Sequence, residues 1–297
     1  MFKAPSIEEG VTLIVLGTIQ DAGSPHIACK KNCCASLFKN PDDSRKVVSL
    51  GLIDTENNKK YLFEATPDIA TQMKLLRNSM GHDTTKETPD GIFITHAHIG
   101  HYTGLMYLGK EAMNAKNIRV FAMPAMQNYL ENNGPWSQLV SDKNISLQRL
   151  SDKSLLKITS NISVTPFKVP HRDEYSETVG YQISGPNKKV LFIPDIDKWS
   201  KWDNNIIEEI SKVDYAFIDA TFFDGNEIDN RDISEIPHPF VIESMELFSN
   251  LSTKEKDKIY FIHFNHTNPA LDETSAAAKQ IIQQGYNIAK TNQTFGL

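Results

Sequence analysis

The sequence predicts a mixed α/β fold in which two similar halves, each a mixed β-sheet flanked by helices, stack sheet against sheet as a four-layer αββα sandwich. Three observations lead there. Strand-like segments come first in hairpin-like runs and then alternate with helical segments. The second half repeats the style of the first. No linker, low-complexity tract or short-period repeat cuts the 297 residues, so 1–297 reads as one domain.

The elements follow in order. Segments 11–17 (VTLIVLG), 47–54 (VVSLGLID) and 61–66 (YLFEAT) are rich in β-branched residues and bounded by turn formers, which predicts strands. A helix is expected over 67–80, with Pro67 and Asp68 at its start and Ile69, Met73, Leu76 and Met80 at helical spacing. Asp68 is read as a helix-start residue rather than a ligand. Strand 91–95 (GIFIT) is followed by a helix over 103–115 and a strand over 118–123. Strands are then predicted over 162–171, 178–184, 189–195 and 215–222, with a helix over 204–213 between the last two. A late strand, 259–266, precedes a helix over 272–285 closed by Gly285. Trp199 and Trp202, in DKWSKWDN, are expected to pack a helix start against the sheet rather than to stack a substrate.

Composition narrows the function. With 40% hydrophobic and 23% charged residues the chain belongs among ordinary folded globular proteins. A formal net charge of −6 recruits no polyanion, so nucleic acid is not an expected partner. No apolar run approaches the roughly 20 residues of a membrane span, so no membrane partner is expected. MFKAPSIEEG lacks the charged start and apolar stretch of a signal peptide. A cytoplasmic protein is expected, although an exported one with its signal already removed would read the same.

Chemistry concentrates in GIFITHAHIGHYTGL, residues 91–105, which holds three of the nine histidines. His96 and His98 are two apart, so on an extended segment they point to one side. His101 follows Gly100, where the backbone can turn and aim a third imidazole from another direction. Neutral imidazole suits zinc, manganese or iron and leaves positions open for other ligands. His171 and Asp195 stand at the ends of predicted strands, and His263 ends IYFIH, the apolar opening of the late strand. The six side chains suffice for one or two active-site transition metals, with the carboxylate as a bridge.

THAHIGH, followed by His171, by the Pro-Asp ending at Asp195 and by the late-strand His263, resembles the ordered signature of the metallo-β-lactamase fold superfamily over nearly the whole chain. That resemblance implies the αββα sandwich, one metal on His96, His98 and His171, a second on His101 and His263, and Asp195 between them. Within the superfamily, FIHFNHTNPAL and FIDATFFDGNEI resemble pyrroloquinoline quinone biosynthesis protein B. GTIQDAGSPHIACKKNCC, with the histidine set, resembles the phosphodiesterase of the carbon–phosphorus lyase pathway. Gly100 departs from the family pattern, which has an aspartate there, so the second site is expected to be weaker, differently occupied or empty. Replacing Gly100 with Asp is expected to tighten it.

Cys29, Cys33 and Cys34 are the three cysteines, an odd number that cannot close a disulfide framework in a monomer, and their clustering points to a structural zinc. The phosphodiesterase resemblance implies His266 as the fourth ligand; the cysteine spacing differs from the family's, leaving His26 as a competitor. The same relatives imply a general acid role for His238 in EIPHPF, against a plain loop histidine. Arg172 is a candidate contact for an anionic substrate. The expected function is a metal-dependent hydrolase in which metal-bound hydroxide attacks a small, anionic substrate, first of all a phosphodiester, with His238 and Asp195 as catalytic residues. Two alternatives remain: a non-haem iron oxygenase with His101, Asp195 and His263 as its facial ligands, and a catalytically silent binding module of the same fold. Oligomeric state leaves no readable trace.

Overall fold

Why the apolar runs are continuous rather than alternating becomes clear once both faces of each strand are followed. A computed structural model describes residues 4, 5, 7, 9–80, 86–227 and 236–297; the opening stretch read above for an export signal lies partly outside them. The first half contributes β1 (Val11–Gly17), α1 (Asn32–Ala35), β2 (Ser49–Asp54), β3 (Lys59–Phe63), α2 (Ile69–Ser79), β4 (Gly91–Phe93), α3 (Ile99–Tyr102), β5 (Ile118–Ala122), α4 (Pro124–Asn132), α5 (Trp136–Ser141) and β6 (Ile145–Arg149). The second contributes β7 (Leu156–Lys157), β8 (Ser163–Lys168), β9 (Val179–Ser184), β10 (Lys189–Ile193), α6 (Ile206–Ser211), β11 (Tyr215–Asp219), α7 (Val241–Leu247), α8 (Thr253–Lys256), β12 (Ile259–Ile262), α9 (Ala276–Gln283), β13 (Asn287–Ile288) and β14 (Thr294–Gly296).

Among the described residues the strands form two seven-stranded sheets, ordered β14-β1-β2-β3-β4-β5-β6 and β13-β12-β11-β10-β9-β8-β7. The two share one pattern. From β14 to β3 and from β7 to β10 neighbours run antiparallel; from β3 to β6 and from β10 to β13 they run parallel. The repeated style of the sequence is this repeated topology.

Side chains of successive strand residues point to opposite faces. Leu13 and Val15 of β1, Val190 and Phe192 of β10 and Phe217 of β11 therefore enter one core between the sheets. Ile14 and Leu16 instead meet Ile69, Met73 and Leu76 of α2 outside the first sheet. Leu191, Ile193, Ala216 and Ile218 meet Ile206 and Ile210 of α6 and Val241 and Met245 of α7 outside the second. Strands covered on both sides must be apolar throughout, which gives the four layers. The middle core carries an aromatic stack: the Phe93 ring lies 4.8 Å from Phe63 and 4.4 Å from Phe121, nearly parallel to both, with Tyr181 edge-on at 5.7 Å.

Several local expectations change. The helix over 103–115 is a 3₁₀ turn over Thr103–Leu108. There Gly104 N–H donates to Ala65 O at 2.8 Å, so close that a Cβ on Gly104 would lie 2.1 Å from Thr66 O. Asp68 sits at the start of α2 without capping it; its carboxylate accepts from Val47 N–H at 2.8 Å. Trp202 packs on Phe167, with ring centroids 5.7 Å apart, and donates to Lys168 O, as its packing role requires. Helices α1, α3, α4, α5, α7 and α8 and strands β6, β7, β13 and β14 were not anticipated. Among the described residues no helix is long and apolar enough to cross a membrane.

Candidate metal centre

Two antiparallel steps restore a strand's direction, so β1, β3 and β4 all end at one edge of the first sheet, and β8, β10, β11 and β12 at one edge of the second. The chain leaves these ends with polar residues: Asp21 after β1, Glu64 after β3, the histidine cluster after β4, His171 after β8, Asp195 after β10, Asp219 closing β11 and His263 after β12. Val179 N–H to Thr95 O at 3.2 Å and Ala97 N–H to Ser176 Oγ at 2.9 Å tie the two edges together beside the cluster.

His96, His98, His171 and Asp195 form a first donor set. His96 Nε2 lies 2.8 Å from His98 Nδ1, which lies 3.2 Å from His171 Nε2. Asp195 Oδ2 lies 3.4 Å from His96 Nε2, 3.3 Å from His171 Nε2 and 4.0 Å from His98 Nδ1. Ligands about 2.0–2.1 Å from a tetrahedral zinc stand about 3.3–3.4 Å apart, so the spacing fits.

The second set is Asp21, His101, Asp195 and His263, all buried. His101 Nε2 is 2.9 Å from Asp21 Oδ1 and 3.8 Å from Asp195 Oδ2; His263 Nε2 is 3.7 Å from the first oxygen and 4.0 Å from the second. Asp21 Oδ1, His101 Nε2 and His263 Nε2 have no hydrogen-bond partner despite burial. Such atoms cost roughly 1–3 kcal/mol each unless something else satisfies them. Lone pairs converging from two carboxylates and two imidazoles suit a divalent transition metal.

The far nitrogen of every imidazole in the two sets faces an oxygen. His96 Nδ1 is 2.9 Å from Thr95 Oγ1, His98 Nε2 3.1 Å from Glu174, His171 Nδ1 3.3 Å from Asp197, His101 Nδ1 3.4 Å from Glu64 and His263 Nδ1 2.9 Å from Thr221 Oγ1. Outer partners of this kind fix ring orientation and tautomer at metal sites. Glu64 and His263 hold φ of 76° and 68°, a costly left-handed backbone at fully buried non-glycine residues. Burial holds His96 well below the usual histidine range, in its neutral, ligating form. Burial opposes charge at His171 and His101 too, but Asp195 lifts the first to about 9, and Glu64 and Asp21 hold the second well above normal. Buried carboxylates here demand positive charge, which a proton or a cation can supply.

His238 stands beside both sets, its ring centroid 5.6 Å from His171 and 6.3 Å from His263. Its Nδ1 lies 2.8 Å from Asp219 Oδ2 and 3.2 Å from Asp195 Oδ1. Burial disfavours its charge, yet Asp219 and Asp195 hold its pKa well above the usual range. Arg172 is exposed next to His171.

Cys29, Cys33, Cys34 and His266 form a separate set. Cys33 Sγ lies 4.0 Å from Cys29 Sγ and 3.9 Å from Cys34 Sγ, while His266 Nδ1 lies 3.6 Å and 3.7 Å from the sulfurs of Cys33 and Cys34. A tetrahedral zinc places sulfurs about 3.8 Å apart and sulfur and nitrogen about 3.6 Å apart. Burial, with neighbouring Cys34, pushes the Cys33 thiol up to about 12, a crowding that a cation relieves; burial lowers His266 to about 4, leaving it neutral. His26 is outside this set: its ring lies 4.4 Å from that of His266, tilted by 49°, and its Nδ1 contacts Ile27 O.

The structure thus gathers the six side chains expected at the sheet edges and places His266 rather than His26 with the cysteines. Sequence reasoning missed Asp21, Glu64, Asp197, Asp219 and Thr221. Asp219 and Thr221 lay in a predicted strand end, and Asp21 in the quoted GTIQDAG segment, where nothing singled it out. Crowding argues against the expectation that Gly100→Asp tightens the second site: a Cβ at Gly100 would lie 2.4 Å from Asp21 Oδ1 and 2.5 Å from Asp21 Cα.

A family model described as "Beta-lactamase superfamily domain" matches residues 59–264. Coenzyme PQQ synthesis protein B of Gluconobacter oxydans (strain 621H) is 23% identical over 97% of this chain and 99% of its own length. Among solved structures, Zn(2+)-bound PqqB from Methylobacterium extorquens superposes with a TM-score of 0.77 at 20% identity, covering 96% of this chain and 100% of that one. A diphosphatase from the PhnP family superposes with a TM-score of 0.63 at 21% identity, covering 96% of each. At such identities the structural likeness establishes a shared fold.

Proposed function

Since this chain belongs to the β-lactamase superfamily, we propose that it is a metal-dependent hydrolase of a small anionic substrate, with a phosphodiester as the bond it breaks. The observation that carries the reading is the position of Asp195 Oδ2, common to both donor sets and within 3.3–4.0 Å of five imidazole nitrogens. Divalent metals held there supply Lewis acidity and bring the pKa of a bound water toward about 7. His96, His98 and His171 hold the first set rigid through Thr95, Glu174 and Asp197. Asp195 turns its other oxygen to His238, whose Nδ1 is committed to carboxylates, so Nε2 is the atom that hands a proton to the leaving group. Exposed Arg172 meets the substrate's negative charge. The cysteine set holds a structural zinc, and the reaction belongs to the cytoplasm, with neither nucleic acid nor membrane engaged. The PhnP-family diphosphatase among the fold neighbours supports the choice of phosphorus chemistry.

The test is hydrolysis of bis(p-nitrophenyl) phosphate by protein loaded with zinc or manganese. Turnover that chelation abolishes and metal restores is expected; metal-loaded, folded protein that cleaves no phosphodiester sinks the reading. The full-length likeness to proteins named for coenzyme PQQ synthesis favours a second reading, an iron-dependent oxygenase using His101, Asp195 and His263. Asp21 adds a fourth protein donor to that set and leaves fewer open positions than a facial triad provides, which favours the hydrolase. Oxygen uptake by iron-loaded protein, with no phosphodiester cleavage, reverses that preference.

A further inference from the structure

We infer that Asp21 is the second site's own carboxylate, delivered from the loop after β1, and that position 100 is glycine because Asp21 fills the space its side chain would take. Resting on the reading of the second donor set as a metal site, the inference stands on three observations. Asp21 Oδ1 lies 2.9 Å from His101 Nε2 and 3.7 Å from His263 Nε2. That oxygen is buried and accepts no hydrogen bond, although it faces a nitrogen at bonding distance. A Cβ at residue 100 would come within 2.4 Å, 2.5 Å and 2.9 Å of three Asp21 atoms, one of them backbone, so rotating the Asp21 side chain would not make room. The two positions are alternative sources for one volume beside His101.

The loop holds Asp21 there from both sides. Thr18 and Gln20 pair with Phe264, the residue after His263, through Phe264 N–H to Thr18 O and Gln20 N–H to Phe264 O, each 2.8 Å. Farther along, Cys33 and Cys34 meet His266. The carboxylate and the imidazole of His263 thus ride on backbone segments paired to each other, which fixes their relative position.

The test is metal content and affinity of the full chain, measured by elemental analysis and native mass spectrometry under zinc or manganese titration. Asp21→Asn, which keeps the shape and removes the charge, is expected to lower the metal content by about one equivalent per chain or to weaken one site by more than about 100-fold, since even an outer partner of a ligand is worth about 10–100-fold. Asp21→Gly should lose the same equivalent, and Gly100→Asp alone should not gain metal, because its Cβ meets the backbone of residue 21. An Asp21→Asn protein with the full wild-type complement and affinity overturns the inference, as does a Gly100→Asp protein that gains metal affinity. Failure here is separable from failure of the hydrolase reading. Wild-type protein that hydrolyses phosphodiesters without a second metal overturns only the role of Asp21, and protein that binds the second metal through Asp21 without hydrolysis overturns only the reaction.

Discussion

His238 Nδ1 faces Asp219 at 2.8 Å and Asp195 at 3.2 Å, and those two carboxylates keep the ring charged where burial alone would neutralise it. A group so held can give up a proton only through its other nitrogen. We predict that His238→Gln lowers kcat by roughly 10²–10⁴-fold while leaving the metal content unchanged. The loss should be smaller for a p-nitrophenolate leaving group than for an alkoxide, because a good leaving group departs unprotonated; equal losses on both would remove the acid role. Away from the centre, burial pushes half-buried Glu227 up to about 7, against an unfolded value near 4.5. Its carboxyl accepts from Phe223 and Asp224 N–H and from Thr267 Oγ1, contacts that an amide can largely reproduce. The folded state therefore binds this proton more tightly than the unfolded chain. Stability from it is complete below the unfolded pKa and is lost as pH rises through about 7. Urea midpoints of wild type should fall relative to Glu227→Gln between pH 5 and pH 8, and parallel profiles would show that the proton carries no stability. The histidines were legible from the sequence because residue type and short spacing announce them. Asp21 was not, since one aspartate in a glycine-bearing loop matches many bland roles.

At the scale of elements, the loop between β1 and β2 binds the cysteine set to the second donor set. Anchoring it by Cys33 and Cys34 to His266, three residues after His263, gives the two centres a common support. The two substitutions should differ in reach. Cys33→Ser is predicted to lose the metal of the cysteine set, to lower Tm, and to weaken the site that contains Asp21. Asp21→Asn should leave the cysteine set loaded. Equal loss at both sites in Asp21→Asn, measured by metal analysis, would contradict this difference. The stretch 103–115 shows where local pattern misled: its apolar spacing is helical, but the close approach of Gly104 to Ala65 and Thr66 forces a tighter turn. Asp68 likewise has the local look of a cap and is used instead to hold Val47, twenty-one residues away. Propensity sees neighbours along the chain, whereas these outcomes come from neighbours across it.

For the whole molecule, the two sheets meet across one apolar core, in which Phe93 of the first sheet is fully buried between its neighbours Phe63 and Phe121 and meets Tyr181 of the second edge-on. Phe93→Ala removes the middle ring two residues before Thr95, at the strand that feeds the histidine cluster. A loss of about 3–5 kcal/mol is predicted from denaturant melts. Metal added to this variant should raise its Tm, since ligands that bind only the folded state stabilise it by mass action. A variant as stable as wild type would mean that the sheets are held elsewhere.

The sequence by itself determined the layer architecture and the imidazole inventory, because alternation, apolar runs and ligand-type residues at strand ends are properties of short segments. His171, Asp195 and His263 could be nominated this way only as strand-end residues; their meeting is a consequence of two repeated topologies whose like-directed ends face one another. Only the tertiary structure decided that position 100 and Asp21 compete for one volume, that His266 rather than His26 joins the cysteines, and that His238 is shared between Asp195 and Asp219. Each of these depends on atoms brought within a few ångströms by packing between segments tens or hundreds of residues apart, and no local pattern encodes such a distance.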